Sequence, residues 1–298
     1  MYAARLRLSC AGMPARVSIP DLCDHRQTVF RRLDGPSPPA LRVLHVGSEM
    51  ATRQWVGMVM INTFWRIYWA DRAGLELSWP GGRLPYPVDA LTIIPGWLPL
   101  SFHPRMGVGH GYIHFEVPWL PRTLTEACFP APWHLRDRDL RDRLRGLSRD
   151  LAWRRRDDPQ LLLAAHAAAS QVMAAALARL APAERGRCLP AGGGALAAVR
   201  ARIEDHLHRP LTVGALAAAA GQSPEAFHRA FRAALGQTPA QYVIERRVAR
   251  AADLLIGGHL GLDGIARACG FPNRHYLTRV FSRRMGLPPA KYRARYRV

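Results

Sequence analysis

From about Leu41 to Glu116 the apolar positions come in short runs, LRVLHV, WVGMVMI, TFWRIYWA, LELSW, ALTIIP and YIHFEV, separated by DRAG, PGGRLPYPVD and HPRMGVGHG. Runs of this length, rich in β-branched and aromatic residues and bounded by Gly, Pro and Asp, predict strands, and several in succession predict a sandwich or barrel. In TFWRIYWA, alternation sends Trp65, Ile67 and Trp69 to one face and Phe64, Arg66 and Tyr68 to the other. One set is core. The other lines a candidate pocket in the barrel mouth, for which Trp65, Arg66, Tyr68, Trp69, Trp97 and His114 are the candidate residues. Aromatic walls with a lone charge suit a small ring-shaped or carboxylated effector. The alternative is that these aromatics simply fill a small barrel.

After Pro132 the period lengthens to that of a helix. Leu140, Leu144, Leu147 and Leu151 form an apolar seam flanked by Arg and Asp, as a dimerisation helix would, or a helix packed on the barrel. A second helix follows Pro159, with Leu162, Ala169, Val172, Ala176 and Leu180 on one side. It carries no formal charge from Gln160 to Ala178, but His166, Ser170 and Gln171 near its middle favour burial over a membrane span. Residues 181–195 (APAERGRCLPAGGGA) read as a flexible linker, and residues 1–40, ending in DGPSPPA, as an N-terminal arm.

The C-terminal third contains one unit twice. LAAAAGQSPEAFHRAFRAALGQTPAQY (216–242) aligns with IARACGFPNRHYLTRVFSRRMGLPPAKY (265–292) once a single extra residue is allowed after the glycine. Each copy predicts helix, glycine turn, helix. In the first, Ser223 and Pro224 open a helix that buries Phe227, Ala230, Phe231 and Ala234 and turns Glu225, His228, Arg229 and Arg232 outward. In the second, Asn273 opens a helix that buries Leu277, Val280 and Phe281 and exposes Arg274, His275, Thr278, Arg279 and Arg283. A longer helix from about Pro239 to Ile256 joins the copies, with Ile244, Val248, Ala252 and Leu255 on one face and Arg246, Arg247 and Arg250 as candidate phosphate contacts. At 1.5 Å per residue it spans roughly 27 Å, near one turn of B-DNA.

The run Ile203 to Tyr292, above all the GF…F…G.PP..YR frame of the second copy, resembles the DNA-binding domain of the AraC/XylS family of bacterial transcription regulators. The resemblance implies seven helices and two helix-turn-helix motifs that read double-stranded promoter DNA. By position it offers Glu225, His228 and Arg229 from the first recognition helix, and Arg274, His275, Thr278 and Arg279 from the second. Glu225 is a departure, an acid where a groove-facing residue is expected; it either accepts from a cytosine amine or serves the helix N-terminus. The order FWRIYWA…G…PGG…DALTIIPGWLPLSF…IHFEV resembles the cupin-like sensor domain at the N-terminus of many such regulators. In that family, helices after the sensor often mediate dimerisation.

Charge agrees with a polyanion partner. The net charge is +20, and residues 196–298 hold 17 Lys and Arg against 6 Asp and Glu, more than half of the excess. All but one of the basic residues are arginine, a compositional bias that adds nothing to the DNA argument. Five cysteines, at 10, 23, 128, 188 and 269, form no CxxC and no even framework, which fits a reduced cytoplasm, and the N-terminus lacks the apolar stretch of a secretory signal.

Cupin enzymes bind metal through clustered histidines. Here His103 and His110 fall in turns, and only His114 and Glu116 share a strand face, so neither a metal nor another cofactor is expected. No Walker motif, dinucleotide fingerprint or Ser-His-Asp frame points to catalysis. The expected protein is therefore α+β and multidomain. A cupin-like barrel or jelly roll (41–130) is followed by a helical dimerisation segment (131–180), the linker, and an all-α domain of seven helices (196–298). Its expected role is that of a non-enzymatic, cytoplasmic, effector-responsive transcription regulator. Expected partners are promoter DNA, a small-molecule effector, a second copy of the chain and RNA polymerase, with no membrane. A metal-dependent cupin enzyme with a helical appendage and a non-specific architectural DNA binder are the rivals.

Overall fold

The computed structural model describes residues 40–298 apart from 53, 54, 58, 151–157, 189–193, 297 and 298. All of these fall in one compact unit, Ser37–Val298. The expected N-terminal arm and Leu151 lie outside the described residues, Ala40 aside.

Two antiparallel sheets form the N-terminal half. The first is ordered β1 (Arg42–Met50), β8 (Gly109–Glu116), β3 (Trp65–Ala70), β6 (Leu91–Ile94), β9 (Trp133–Leu135); the second is β2 (Val59–Met60), β7 (Leu100–Pro104), β4 (Leu75–Trp79), β5 (Gly82–Pro85). β3 is central and buried on both faces, so alternation in its sequence separates two cores rather than core from water. Trp65, Ile67 and Trp69 pack outward with Ile93, Ile113 and Phe115 against helices. Tyr68 and Ala70 pack inward with Leu75, Leu77, Leu100 and Phe102 of the second sheet.

The helices on the outer face are α1 (Arg122–Cys128), α2 (Arg138–Asp150) and α3 (Pro159–Ala178). Here the expected dimerisation seam is corrected. Leu140 and Leu144 are each 2% exposed in the core shared with β3 and α3, and Leu147 packs against it, so the protein's own sheet covers the seam. α3 has the length and apolarity of a membrane span, yet Leu161 is buried and Ala165, Ala169, Val172 and Ala176 pack in the core shared with the sheet. Leu162, expected on that buried side, is 43% exposed, and Leu161 takes its place. Part of the expected linker is ordered as α4 (Pro182–Cys188), which buries Cys188 and places its sulfur 3.5 Å from that of Cys128.

Seven helices follow among the described residues: α5 (Ala195–Asp205), α6 (Val213–Ala219), α7 (Pro224–Leu235), α8 (Pro239–Gly257), α9 (Leu262–Ala268), α10 (Arg274–Met285) and α11 (Pro289–Tyr296). Their starts follow from side-chain caps. Ser223 Oγ accepts from Ala226 N at 3.2 Å, Asn273 Oδ1 from Tyr276 N at 2.8 Å, and Thr238 forms a reciprocal capping box with Gln241. Gly221 and Gly270 hold φ of +65° and +72° in the two turns, a conformation that costs other residues about 1–2 kcal/mol. α7 buries Phe227, Phe231 and Leu235, spaced by four, while Ala230 and Ala234, expected inside, are exposed. The narrower stripe suffices because two phenylalanines fill the small core that α7 shares with α6 and α8.

Candidate nucleic-acid interface and sandwich interior

α7 and α10 are the second helices of the two helix-turn-helix units, and their buried stripes dictate which side chains face water. Glu225, Arg229 and Arg232 on α7, and Arg274, His275, Arg279 and Arg283 on α10, are exposed; His228 and Thr278 are half-buried. All nine sequence-predicted residues therefore lie on the outer sides of these helices. The Arg279 guanidinium sits 5.1 Å from the centre of the Tyr276 ring, which stiffens a long side chain, and Arg274 reaches Asp263 at 3.6 Å. Of the three expected phosphate contacts on α8, only Arg250 is exposed. Arg247 is turned back to donate to the Leu207 and Arg209 carbonyls at 3.0 and 2.7 Å.

Arg246 is corrected outright. Its side chain is 11% exposed and its guanidinium donates to Glu204 at 2.6 and 3.1 Å and to Glu116, at the end of β8, at 3.3 Å. Glu116 also receives Arg42 at 2.7 Å, and Arg42 reaches on to Asp253 of α8 at 2.6 Å. Burial alone would raise the Glu116 carboxyl, but Arg246 and Arg42 outweigh it and hold it below the usual range. The carboxylate weighed as a metal ligand is thus the hub of an ion cluster joining the sandwich to α8.

Further contacts surround this cluster. Tyr242 Oη and Arg200 Nη2 both donate to the Pro118 carbonyl, at 3.1 and 3.2 Å, and Thr123 Oγ1 donates to Leu235 O at 2.7 Å. Trp97, expected to line the sensor pocket, instead enters the core of the second helix-turn-helix with Leu255, Phe281 and Tyr292. Its backbone takes φ +66° and its N–H donates to Asn62 O at 2.6 Å, which aims the ring out of the sandwich. Sequence alternation carries no signal for such a contact between modules.

Of the remaining pocket candidates, Trp65 and Trp69 belong to the outer core, which corrects their placement, while Arg66, Tyr68 and His114 face the space between the sheets. Arg66 pairs across strands with His114 and Ile94, and Tyr68 with Tyr112 and Thr92. His114 stacks between Phe64 and Tyr112, each 4.6 Å away, and faces Tyr68 Oη at 3.2 Å. Burial, then His45 and Arg66, hold His114 well below its ordinary pKa; burial alone pushes His110 down to about 3. Both rings are therefore neutral beside a permanent guanidinium.

Comparison with known proteins bears first on the C-terminal helices. Residues 216–295 match a helix-turn-helix domain family. The MmsAB operon regulatory protein of Pseudomonas aeruginosa is 32% identical over 111 residues, 37% of this chain and 36% of its own length, so the chain spans little more than a third of that relative. The uncharacterized HTH-type transcriptional regulator YpdC of Escherichia coli is 27% identical over 219 residues, 73% of this chain and 70% of its own. Among solved structures, ToxT from Vibrio cholerae O395, bound to (E)-4-(8-methylnaphthalen-1-yl)but-3-enoic acid, superposes with TM-score 0.53 over 85% of this chain and 98% of its own. At 10% identity that likeness concerns the fold alone.

Proposed function

We propose that the chain, whose residues 216–295 match a helix-turn-helix domain family, is an AraC-type, sequence-specific, effector-responsive regulator of transcription that reads double-stranded promoter DNA through α7 and α10. The observation that carries this reading is the pair of capped, glycine-turned helices whose basic faces point away from two separate cores. Arg229 and Arg279 are the base-reading residues, because a guanidinium fork on guanine is worth about 1–3 kcal/mol of discrimination. Arg232, Arg250 and Arg283 serve the phosphates, and His228, His275, Thr278 and Arg274 flank the base contacts. The sandwich is the sensor, acting in the cytoplasm on DNA-bound copies of the chain. ToxT, which shares the fold and is recorded with a bound enoic acid, supports a sensor for small organic molecules.

Selection from a random duplex pool by the full-length protein tests the reading. It predicts an enriched motif with two half-sites about one helical turn apart. Arg279→Ala relaxes one base position within a half-site, whereas Arg283→Ala weakens all sequences alike and lowers the salt slope by about 1. Retention of duplexes with no enriched sequence would leave the architectural reading instead.

A further inference from the structure

The interior of the sandwich holds a charge that the fold does not neutralise. Arg66 is 0% exposed, and among the described residues it has no acidic partner; its Nε and Nη1 have no hydrogen-bond acceptor. An arginine cannot shed its proton to escape this cost. The surrounding polar atoms repeat the pattern. The Tyr86 hydroxyl, Thr92 Oγ1 and His110 Nδ1 are buried without partners, and the Tyr86, Tyr68 and His110 rings lie within 6.1 Å of one another. Each of these atoms can donate a hydrogen bond. A core built only for packing would place apolar groups there.

One end of Arg66 leads out of the sensor. With its amide oxygen towards Arg66, Asn62 accepts from Nη2 at 3.0 Å, and its nitrogen donates to Ile61 O and to the Tyr292 hydroxyl, both at 2.9 Å. Tyr292 lies in α11, fully buried beside Phe281 of the second recognition helix, their rings 5.1 Å apart. A carboxylate approaching a guanidinium in two-pronged fashion uses Nη2 together with either Nε or Nη1. It therefore engages the nitrogen that holds Asn62.

We propose that the space between the sheets takes a small carboxylate on Arg66, and that the Asn62 amide, shared with Tyr292, passes its occupancy to the second helix-turn-helix. The proposal rests on the regulator reading above and names its effector class and route. The site favours an anion because, among the described residues, the only permanent charge facing it is positive, and a carboxylate over a spherical ion because donors surround it and aromatic rings enclose it.

The test uses full-length protein with straight-chain monocarboxylates from acetate to hexanoate, the matching primary alcohols, and sodium nitrate. At a hundredfold excess over Kd, a carboxylate of the right length raises the melting temperature by roughly 5–10 °C. The alcohols do nothing. Arg66→Met, which removes an unpaired buried charge, melts at or above the parent temperature but loses the carboxylate shift. Tyr292→Phe keeps the shift and loses the carboxylate's effect on affinity for the selected duplex. Four results overturn the proposal: equal shifts from alcohols and acids, a shift from nitrate alone, no shift with any acid, or Arg66→Met unfolding as a structural arginine would. If the protein still selects a DNA motif in any of these cases, the regulator reading stands alone; if it selects none, that reading falls irrespective of the carboxylate result.

Discussion

Replacing Arg246 by methionine separates two roles for an arginine on α8. Three charge-assisted hydrogen bonds, at 2.6, 3.1 and 3.3 Å, tie its guanidinium to Glu204 and Glu116. Glu116 is 2% exposed and Glu204 28%, so the two carboxylates do not suffer equally. Glu204 recovers water, and Glu116 keeps only Arg42, itself 41% exposed. Breaking a buried pair from one side costs about 3–5 kcal/mol; with Arg42 retained, the low end applies, about 3 kcal/mol. For a folded unit of this size that lowers the melting temperature by roughly 6–12 °C. A phosphate-contacting arginine behaves in the opposite way: stability is unchanged and the slope of log K against log salt falls by about 1. Thermal melting and a salt titration of DNA binding, made on one protein preparation, distinguish the two. The double variant with Glu204→Gln loses less than the sum of the single changes, because one interaction is removed twice. A melting temperature within a degree of the parent, together with a reduced salt slope, would refute the assignment of Arg246 to the ion cluster.

Gly270→Ala and Gly221→Ala both force a side chain into positive φ, but a methyl at 270 would meet the Leu207 carbonyl at 2.2 Å whereas one at 221 meets nothing within 4 Å. Chemical denaturation should show a loss of about 1–2 kcal/mol at 221 and at least twice that at 270. His110, pushed down to about 3 by burial, is neutral in the folded chain and titrates near its ordinary 6.5 once unfolded. The unfolded state then binds the extra proton, so stability is full above pH 6.5 and falls as pH drops; at pH 5 the loss is about 2 kcal/mol, and His110→Gln flattens the melting-temperature profile between pH 7 and 5. Tyr242→Phe removes the hydroxyl at 3.1 Å from Pro118 O and should cost about 1 kcal/mol, with faster amide exchange in α8 as the readout that places the loss at the junction of the modules.

What the sequence disclosed, and what it withheld, follows from the range of the forces involved. The helix-turn-helix units were legible because their determinants are local: Ser223 and Asn273 as caps, Gly221 and Gly270 in the turns, phenylalanines at helical spacing. Six of the nine strands among the described residues coincide with the predicted runs, and the missed ones are short pieces such as Gly82–Pro85 and Trp133–Leu135, held by pairing rather than by propensity. Periodicity also showed that Leu140 and Leu144 form an apolar face. It did not say what covers that face, and their own sheet does so before any second copy can. Arg246 and Trp97 mark the same boundary. An arginine on an amphipathic helix looks solvated, and a tryptophan after a strand looks like barrel lining, until a module more than a hundred residues away in sequence supplies Glu116 for one and the core around Phe281 for the other.

That boundary also bears on how the two halves are joined. α8 spaces the helix-turn-helix units, contributing Tyr242 and Val243 to the first core and Val248, Ala252 and Leu255 to the second. It is equally the element the N-terminal half grips, through Glu116 on Arg246 and through the Arg122 backbone N–H on Glu245 at 3.1 Å. A shift of α8 against the sandwich would therefore carry α7 and α10 together and preserve their spacing. The contacts to the second unit alone are of another kind: Trp97 in its core, the Asn62 amide on Tyr292, and Arg295 Nη1 on the Val59 carbonyl at 2.8 Å. None of these is an ion pair, and one of them ends on the buried guanidinium between the sheets. The electrostatic contacts thus hold α8 as the shared frame, and on the proposal above the weaker set of contacts is the route from the sandwich interior to the second unit alone.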